Sequence, residues 1–407
     1  MGDENTCAKT GGNSGENCGE NTGANTCGNT RRKTAVVVTI LAGAFAVMAM
    51  SNAVVPVLNL LAKDSPQIQG IIYSAYFLGA FLTVLPAGMI SDRVGRTLPI
   101  RAGLILTVVA GIAMILLTNP YMIAAARFAE GIGAGLFVAS ALAWINEQEE
   151  HKKISGYYFA CINLGFLSSL ILTGYFSGYS LMTGVLIFTV LAAASLILSM
   201  GTIRGNTGNA GNTGNTAAEE KAKRSPLSEI ILGSLALFFS VAVLSGTTGV
   251  VISLYPGFSG ISALAAGILI GLMDLGTITS SLYASRRAGR GVRFEIPAGA
   301  LIIAALVLVI LLIPAGNLIA AGLLFIGIGA AYGTVTIAQV DYLSKTKYGQ
   351  GAVLGIYNLF GYAGMAFMPF AAGIIAESSY PSAFIATALL CLTVCATAVL
   401  AAKGRKD

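Results

Sequence analysis

Long apolar runs alternate with short polar connections along almost the whole chain, and each run has the length of a membrane span. A helix that crosses the hydrocarbon core needs about 20 apolar residues. Twelve such segments can be marked, at roughly 34–58, 67–91, 98–117, 120–145, 152–176, 179–201, 227–253, 261–285, 294–313, 316–341, 350–376 and 380–402. The pattern predicts an all-α membrane protein.

Composition agrees with that pattern. The 407 residues are 55% hydrophobic and only 10% charged, with a mean hydropathy of +0.78. No soluble domain of this size is so apolar. The 50 glycines suit helices that pack closely in lipid.

Charge placement sets the expected orientation. All 24 Lys and Arg except Lys63 and Arg127 fall on one set of connections, and basic residues are retained on the cytoplasmic side. Both termini are therefore expected in the cytoplasm, with an even number of spans in a plasma membrane. The net charge of +6 is this asymmetry, so no nucleic-acid partner follows from it.

Residues 1–33 are polar and lack the apolar core of a secretory signal. They are expected to be a disordered cytoplasmic tail. Its Cys7, Cys18 and Cys27 match no zinc spacing, and a reducing compartment argues against disulfides. Cys161, Cys391 and Cys395 read as small apolar fillers within spans.

Residues 202–226 form the one long internal connection, rich in Gly, Asn and Thr and then charged. It divides the chain into an N-terminal six-helix bundle (34–201) and a C-terminal one (227–402), with a short tail at 403–407. The halves resemble each other. Gly131-Ile132-Gly133-Ala134 returns as Gly327-Ile328-Gly329-Ala330, Ala102-Gly103 as Ala298-Gly299, and Gly165 as Gly361, all at an offset of 196. Arg93-Val94-Gly95-Arg96 returns as Arg287-Ala288-Gly289-Arg290 at 194. Two pseudo-symmetric bundles with a site between them near the bilayer midplane is a transporter architecture.

The densest polar connection is Gly88-Met89-Ile90-Ser91-Asp92-Arg93-Val94-Gly95-Arg96. It resembles the loop between helices 2 and 3 of the major facilitator superfamily, G-x-L-A-D-R-x-G-R-K, with Thr97 departing from the usual Lys. Arg127-Phe128-Ala129-Glu130-Gly131-Ile132-Gly133 in the fourth segment resembles that family's R-x-x-Q-G-x-G motif, with Glu130 in place of Gln. The resemblance covers about residues 34–402 and implies the family's fold and secondary transport. It also implies a latch that closes the cytoplasmic side in the outward-open state. For that latch, Gly88 is expected to admit a neighbouring helix and Gly95 to permit a tight turn. Asp92 is expected to face a helix N-terminus in the other half, that of helix 11. Arg96 is expected to pair with Glu147, and Arg93 completes the motif. A bland alternative is that these arginines only enforce topology.

Few residues could carry chemistry. The sequence has no nucleophile–base arrangement, metal cluster or phosphate loop, so an enzyme, a metal and a cofactor are not expected. His151 lies among charges in a connection and reads as solvated. Arg127 and Glu130, three apart, share a helix face and can pair. Charges at membrane depth are costly and usually face a cavity. The pair is thus either a cavity-facing proton-coupling element or a neutralised packing contact. Asp274, in the eighth segment, has no basic residue near it in sequence, which suits a proton or cation site. Its alternative role is a helix–helix hydrogen bond. Asn52, Asn163, Tyr332, Gln339 and Asn358 are polar candidates for lining a substrate path, or packing hydrogen bonds. Trp144 reads as an interface anchor, and Pro86 and Pro369 as kinks.

These features together predict a proton-coupled carrier of a small organic solute, acting as a monomer by alternating access. Scarce cavity charge favours neutral or amphipathic solutes. Multidrug–proton antiport is the nearer alternative, weakened by the missing Gly-Pro pair in helix 5 and the missing acid in helix 1. A non-transporting sensor is the alternative from another class, and it lacks a soluble signalling domain.

Overall fold

The computed structural model describes residues 20–202, 234–287, 292–314, 316–346 and 350–403. These contain twelve helices long and apolar enough to cross a membrane, and no strand. They are α1 (Glu20–Ala53), α2 (Pro66–Val94), α3 (Thr97–Leu116), α4 (Pro120–Asn146), α5 (His151–Phe176), α6 (Thr183–Thr202), α7 (Leu235–Ser259), α8 (Ala263–Arg286), α9 (Val292–Val309), α10 (Leu318–Ser344), α11 (Gln350–Ser378) and α12 (Tyr380–Lys403). α1 continues through the turns Val55–Val57 and Leu58–Leu61, so its span ends at Leu61. Its helical ladder already starts at Glu20, ahead of the expected start at 34. A nucleated helix extends into polar sequence one residue at a time, because the costly first turn is already made. The connection at 203–233 and residues 288–291 of the second basic loop lie outside the described residues.

Local sequence fixes where four of the helices begin. Ser65, Asn119, Ser262 and Asn317 precede α2, α4, α8 and α10, and each side chain accepts from a backbone N–H in the first turn. That satisfies a donor the helix itself leaves free. Pro66 and Pro120 follow two of these caps, at the position where a missing N–H costs nothing. At the other end of α2, Gly95 takes φ 85°, which sets the tight turn into α3.

The halves repeat the same packing. α2 lies on α4 as α8 lies on α10, α1 on α5 as α7 on α11, and α3 on α6 as α9 on α12. Across the halves, α2 meets α11 and α5 meets α8. The register of the repeat differs from the one expected. A methyl on Gly131 would meet the Tyr76 carbonyl, and its counterpart facing the Met273 carbonyl is Gly329, not Gly327. Gly165 approaches the Phe45 carbonyl, and the glycine that approaches Ala242 in the same way is Gly364, not Gly361. Gly103 and Gly299 do correspond, both facing the partner helix of their half. The uniform offset of 196 is therefore corrected to one that drifts from helix to helix, because connections between spans gain or lose residues without disturbing the helix contacts.

The two halves pack most closely toward one end. There Gly70 and Gly373 let α2 and α11 come together, Gly174 lies against the Ala263 backbone, and Gly267 against Leu170. Leu167 still reaches Gly271 and Leu85 still reaches Gly355. Further toward the Gly88–Arg96 turn, neither Gly88 nor Gly156 has a neighbour within 4 Å of where a Cβ would stand. Every ion pair described at that end stays within one half. The halves are thus closed on each other along α2 and α11 as far as Leu85 and Gly355, and along α5 and α8 as far as Leu167 and Gly271, with the cleft between them lying beyond these contacts toward the Gly88–Arg96 turn.

Candidate functional site

The most buried charges sit in α4. Arg127 Nη1 lies 2.7 Å from Glu130 Oε2, with side-chain exposures of 1% and 0%. The three-residue spacing puts both on one face of the helix, so the contact is local. Tyr76 of α2 covers the guanidinium, with its ring centroid 4.7 Å from Arg127 Cζ. Of the two readings open for this pair, cavity-facing or neutralised by its partner, the geometry of this state matches a buried, paired contact. The tyrosine and the close α2–α4 packing, made possible by Gly79 and Gly131, shut both charges away from the cleft in this state. Arg127 Nε and Glu130 Oε1 have no hydrogen-bond partner.

Asp274 faces this cluster from the other half. Its side chain is partly exposed. Among the described residues it makes no ion pair, since the five present engage other acids. The Tyr73 hydroxyl of α2 stands within electrostatic reach of Asp274, Arg127 and Tyr332 together. In the repeat register of α2 and α8, where Tyr76 corresponds to Met273, the position of Asp274 is held by Phe77 in the first half. The carboxyl group is an asymmetric feature on a symmetric frame.

Tyrosines complete the site. Tyr158 of α5, fully buried with its hydroxyl unpartnered, reaches electrostatically to Tyr76 and to Tyr362 of α11. Phe77 stacks edge-on with Tyr76 at 5.1 Å and lies 6.3 Å from Tyr362. In the second half, Tyr332 OH and Ser245 Oγ are 2.9 Å apart. Gln339 Nε2 donates to Ser240 Oγ at 2.9 Å, and Gln339 Oε1 accepts from the Tyr357 hydroxyl at 3.3 Å. Sequence reading found Tyr332 and Gln339 but not Tyr73, Tyr76, Tyr158, Tyr357 or Tyr362. The Tyr73-x-x-Tyr76 spacing inside an apolar segment was the available signal.

The asparagines occupy separate places. Asn52 is half-buried in α1. Asn163 is exposed and its Nδ2 donates to the Phe159 carbonyl of its own helix at 2.7 Å. It shares a helix face with Leu167, one turn nearer the open end of the α5–α8 seam. Asn358 is exposed, one turn from Tyr362 on α11. The structure does not bring these three together.

At the open end, Arg96 joins three groups. It lies 2.8 Å from Glu147 and 2.5 Å from Asp92, and its Nη1 donates to Ser91 Oγ at 3.1 Å. Partial burial disfavours its charge, but hydrogen bonds to Asp92 and Glu147 outweigh that and hold its pKa above the ordinary arginine value. Two expectations are corrected here. Asp92 turns back on Arg96, four residues along, instead of facing helix 11. Gly88, expected to admit a neighbouring helix, has nothing within 4 Å of where a Cβ would stand. Arg93 is exposed. Among the described residues no group of His, Cys, Asp and Glu is arranged to hold a metal.

Twelve membrane-crossing helices in two repeated six-helix bundles, parted by a cleft that ends on a polar cluster, define a multi-pass membrane protein with a transporter fold. The sequence profile of the Major Facilitator Superfamily matches residues 40–369, and the chain belongs to that family. Solved structures share the fold. A bacterial homologue of the human lysosomal transporter Spinster, inward-facing and unoccupied, superposes with a TM-score of 0.73 at 14% identity, covering 91% of this chain and 97% of that one. A D-xylose–proton symporter does so with a TM-score of 0.70 at 15% identity, covering 90% and 97%. The human organic anion transporter MFSD10 follows with 0.62 at 18% identity, covering 90% and 99%. No curated protein matches the sequence significantly.

Proposed function

We propose that the chain is a proton-coupled secondary transporter of a small organic solute, working by alternating access between its two halves. The observation that carries this reading is Asp274, a carboxyl group without an ion-pair partner where the cleft meets the seal, within electrostatic reach of Tyr73. An ionisable residue inside a membrane bundle with no counter-charge is a functional position by default. With the basic connections assigned to the cytoplasm, the cleft opens inward and both termini are cytoplasmic.

In this mechanism Asp274 carries the proton. Tyr73 relays its charge state to the Arg127–Glu130 pair, so that protonation and solute occupancy bias the packing of α2 against α4 and α8. The tyrosine-lined wall and the single net negative charge of the cluster suit a neutral or amphipathic solute. Rocking of the halves brings the Gly88–Arg96 turn to the other bundle, where Asp92 leaves Arg96 for the N-terminus of α11. The shared fold of a D-xylose–proton symporter supports proton coupling.

Proteoliposomes with an entrapped pH-sensitive dye test this reading. Addition of the right solute from a neutral and amphipathic panel moves protons in the wild type. Asp274→Asn abolishes that movement and leaves solute exchange intact. Undiminished proton coupling in Asp274→Asn removes this carboxyl from the mechanism, and solute flux without proton movement in the wild type replaces the coupling ion.

A further inference from the structure

We propose that Glu377 is a positioning residue for transport: it holds the sealed end closed by capping the N-terminus of α2 from the opposite half, and this cap breaks when that end opens. The proposal rests on the alternating-access reading above. Glu377 lies in the last turn of α11, in the C-terminal bundle. Its Oε2 accepts from Ser65 Oγ at 3.1 Å and from the Gln67 backbone N–H at 3.3 Å, both at the start of α2 in the N-terminal bundle.

The first turn of α2 explains why an acid is needed there. A helix leaves its first N–H groups without internal partners. Pro66 removes one of them. Ser65 Oγ takes the Ile68 N–H at 3.4 Å, which leaves the Gln67 N–H for Glu377. The caps of α4, α8 and α10 come from the residue that precedes each helix. α2 has, in addition, a carboxylate delivered by the other half, with its charge at the positive end of the helix dipole.

The contact sits where the halves must separate. Gly70 and Gly373 are packed together one turn away. Beside them Gln69 Nε2 donates to Asn59 Oδ1 at 2.5 Å, and Gly257 and Tyr380 of the other half close over that pair. Opening this end must pull Glu377 off α2. At the far end of the same helix, Asp92 is engaged with Arg96 inside its own half. α2 therefore has an acid at each end, and in this state only Glu377 reaches across the halves. The geometry assigns Glu377 the role of a weight on the conformational balance. It is exposed, so replacing it leaves no hole in the core.

Distance measurements between paired spin labels test this. The full-length protein, with its six native cysteines replaced, carries labels at Tyr179 and Ile319, exposed positions of opposite halves at the sealed end. A second pair at Lys153 and Lys345 reports the other end. Glu377→Ala is expected to raise the ratio of long to short Tyr179–Ile319 distances about two- to five-fold, as for loss of one exposed charge from a helix end. The Lys153–Lys345 distances shorten in step. Glu377→Gln, which keeps an acceptor, gives a smaller change, and Glu377→Lys, which puts a cation on the helix N-terminus, a larger one. Distributions that move with pH or solute in the wild type but are unchanged in all three variants overturn the cap alone. Distances that never move under any condition overturn the cap together with alternating access.

Discussion

Replacing the buried Arg127–Glu130 pair is the sharpest test of how this membrane core is held. The two groups are 2.7 Å apart and at most 1% exposed. At an effective dielectric constant of ~20, charge centres ~4 Å apart attract by ~4 kcal/mol. The desolvated contact with Tyr76, 4.7 Å from Arg127 Cζ, adds ~2 kcal/mol. Against these stands a desolvation cost of several kcal/mol for each charge. The pair as a unit therefore contributes little, while either half of it alone is costly. Glu130→Met and Arg127→Met are each expected to destabilise the protein by ~3–5 kcal/mol, because each strands a buried charge. The double variant, with two apolar side chains of similar volume, is expected to recover most of that loss. Reversible unfolding in mixed micelles of the four proteins closes the cycle. Single losses that simply add, leaving a coupling energy below ~0.5 kcal/mol, would refute the reasoning, since non-interacting sites behave that way. The folded double variant also separates stability from transport. Solute-driven proton movement that survives in it returns the pair to a packing role.

Other outcomes follow from the same geometry. Gly131→Val drives a side chain into the Tyr76 carbonyl, while Gly88→Ala meets nothing within 4 Å. Size-exclusion chromatography after heating should show the first variant lost and the second like wild type. Arg96→Ala removes contacts that are mostly exposed and should cost under ~1 kcal/mol. The Arg96 pKa is raised, so its contribution is fully present below the ordinary arginine value and lost only above the raised one. The stability difference measured by unfolding should therefore stay flat from neutral pH upward, and a difference that fades on mild alkalinisation contradicts this. In the transport assay, Tyr73→Phe is expected to weaken proton coupling while preserving solute exchange, because the hydroxyl is within electrostatic reach of both Asp274 and Arg127. Coupling equal to wild type would break that link.

The span count and the Arg127–Glu130 contact were legible in the chain. Each rests on residues within one helix or next to it. The repeat was legible as an idea and misregistered in detail. Gly131 looks like Gly327 in sequence, but Gly329 does its work in space. One match in a glycine-rich helix slides by two residues without changing the text around it. Asp92 shows a different limit. Its partner depends on which end of the cleft is closed, and no local pattern encodes the state.

What the sequence by itself determined is what lipid and backbone impose residue by residue. Transfer of apolar side chains from water adds up along a segment, and unpaired backbone groups cannot be left in hydrocarbon. Twelve helices, their ends and the basic turns are therefore written locally. Only the tertiary structure decided which faces meet. In lipid every face is apolar, so hydropathy does not rank them, and helices choose partners by close packing and polar contacts. The gathering of Tyr73, Tyr76, Tyr158, Tyr332 and Tyr362 around Asp274 and Arg127 comes from α2, α4, α5, α8, α10 and α11. So does the reach of Glu377 across to α2. Those contacts are products of packing between distant segments, and they exist only once the two halves have met at one end.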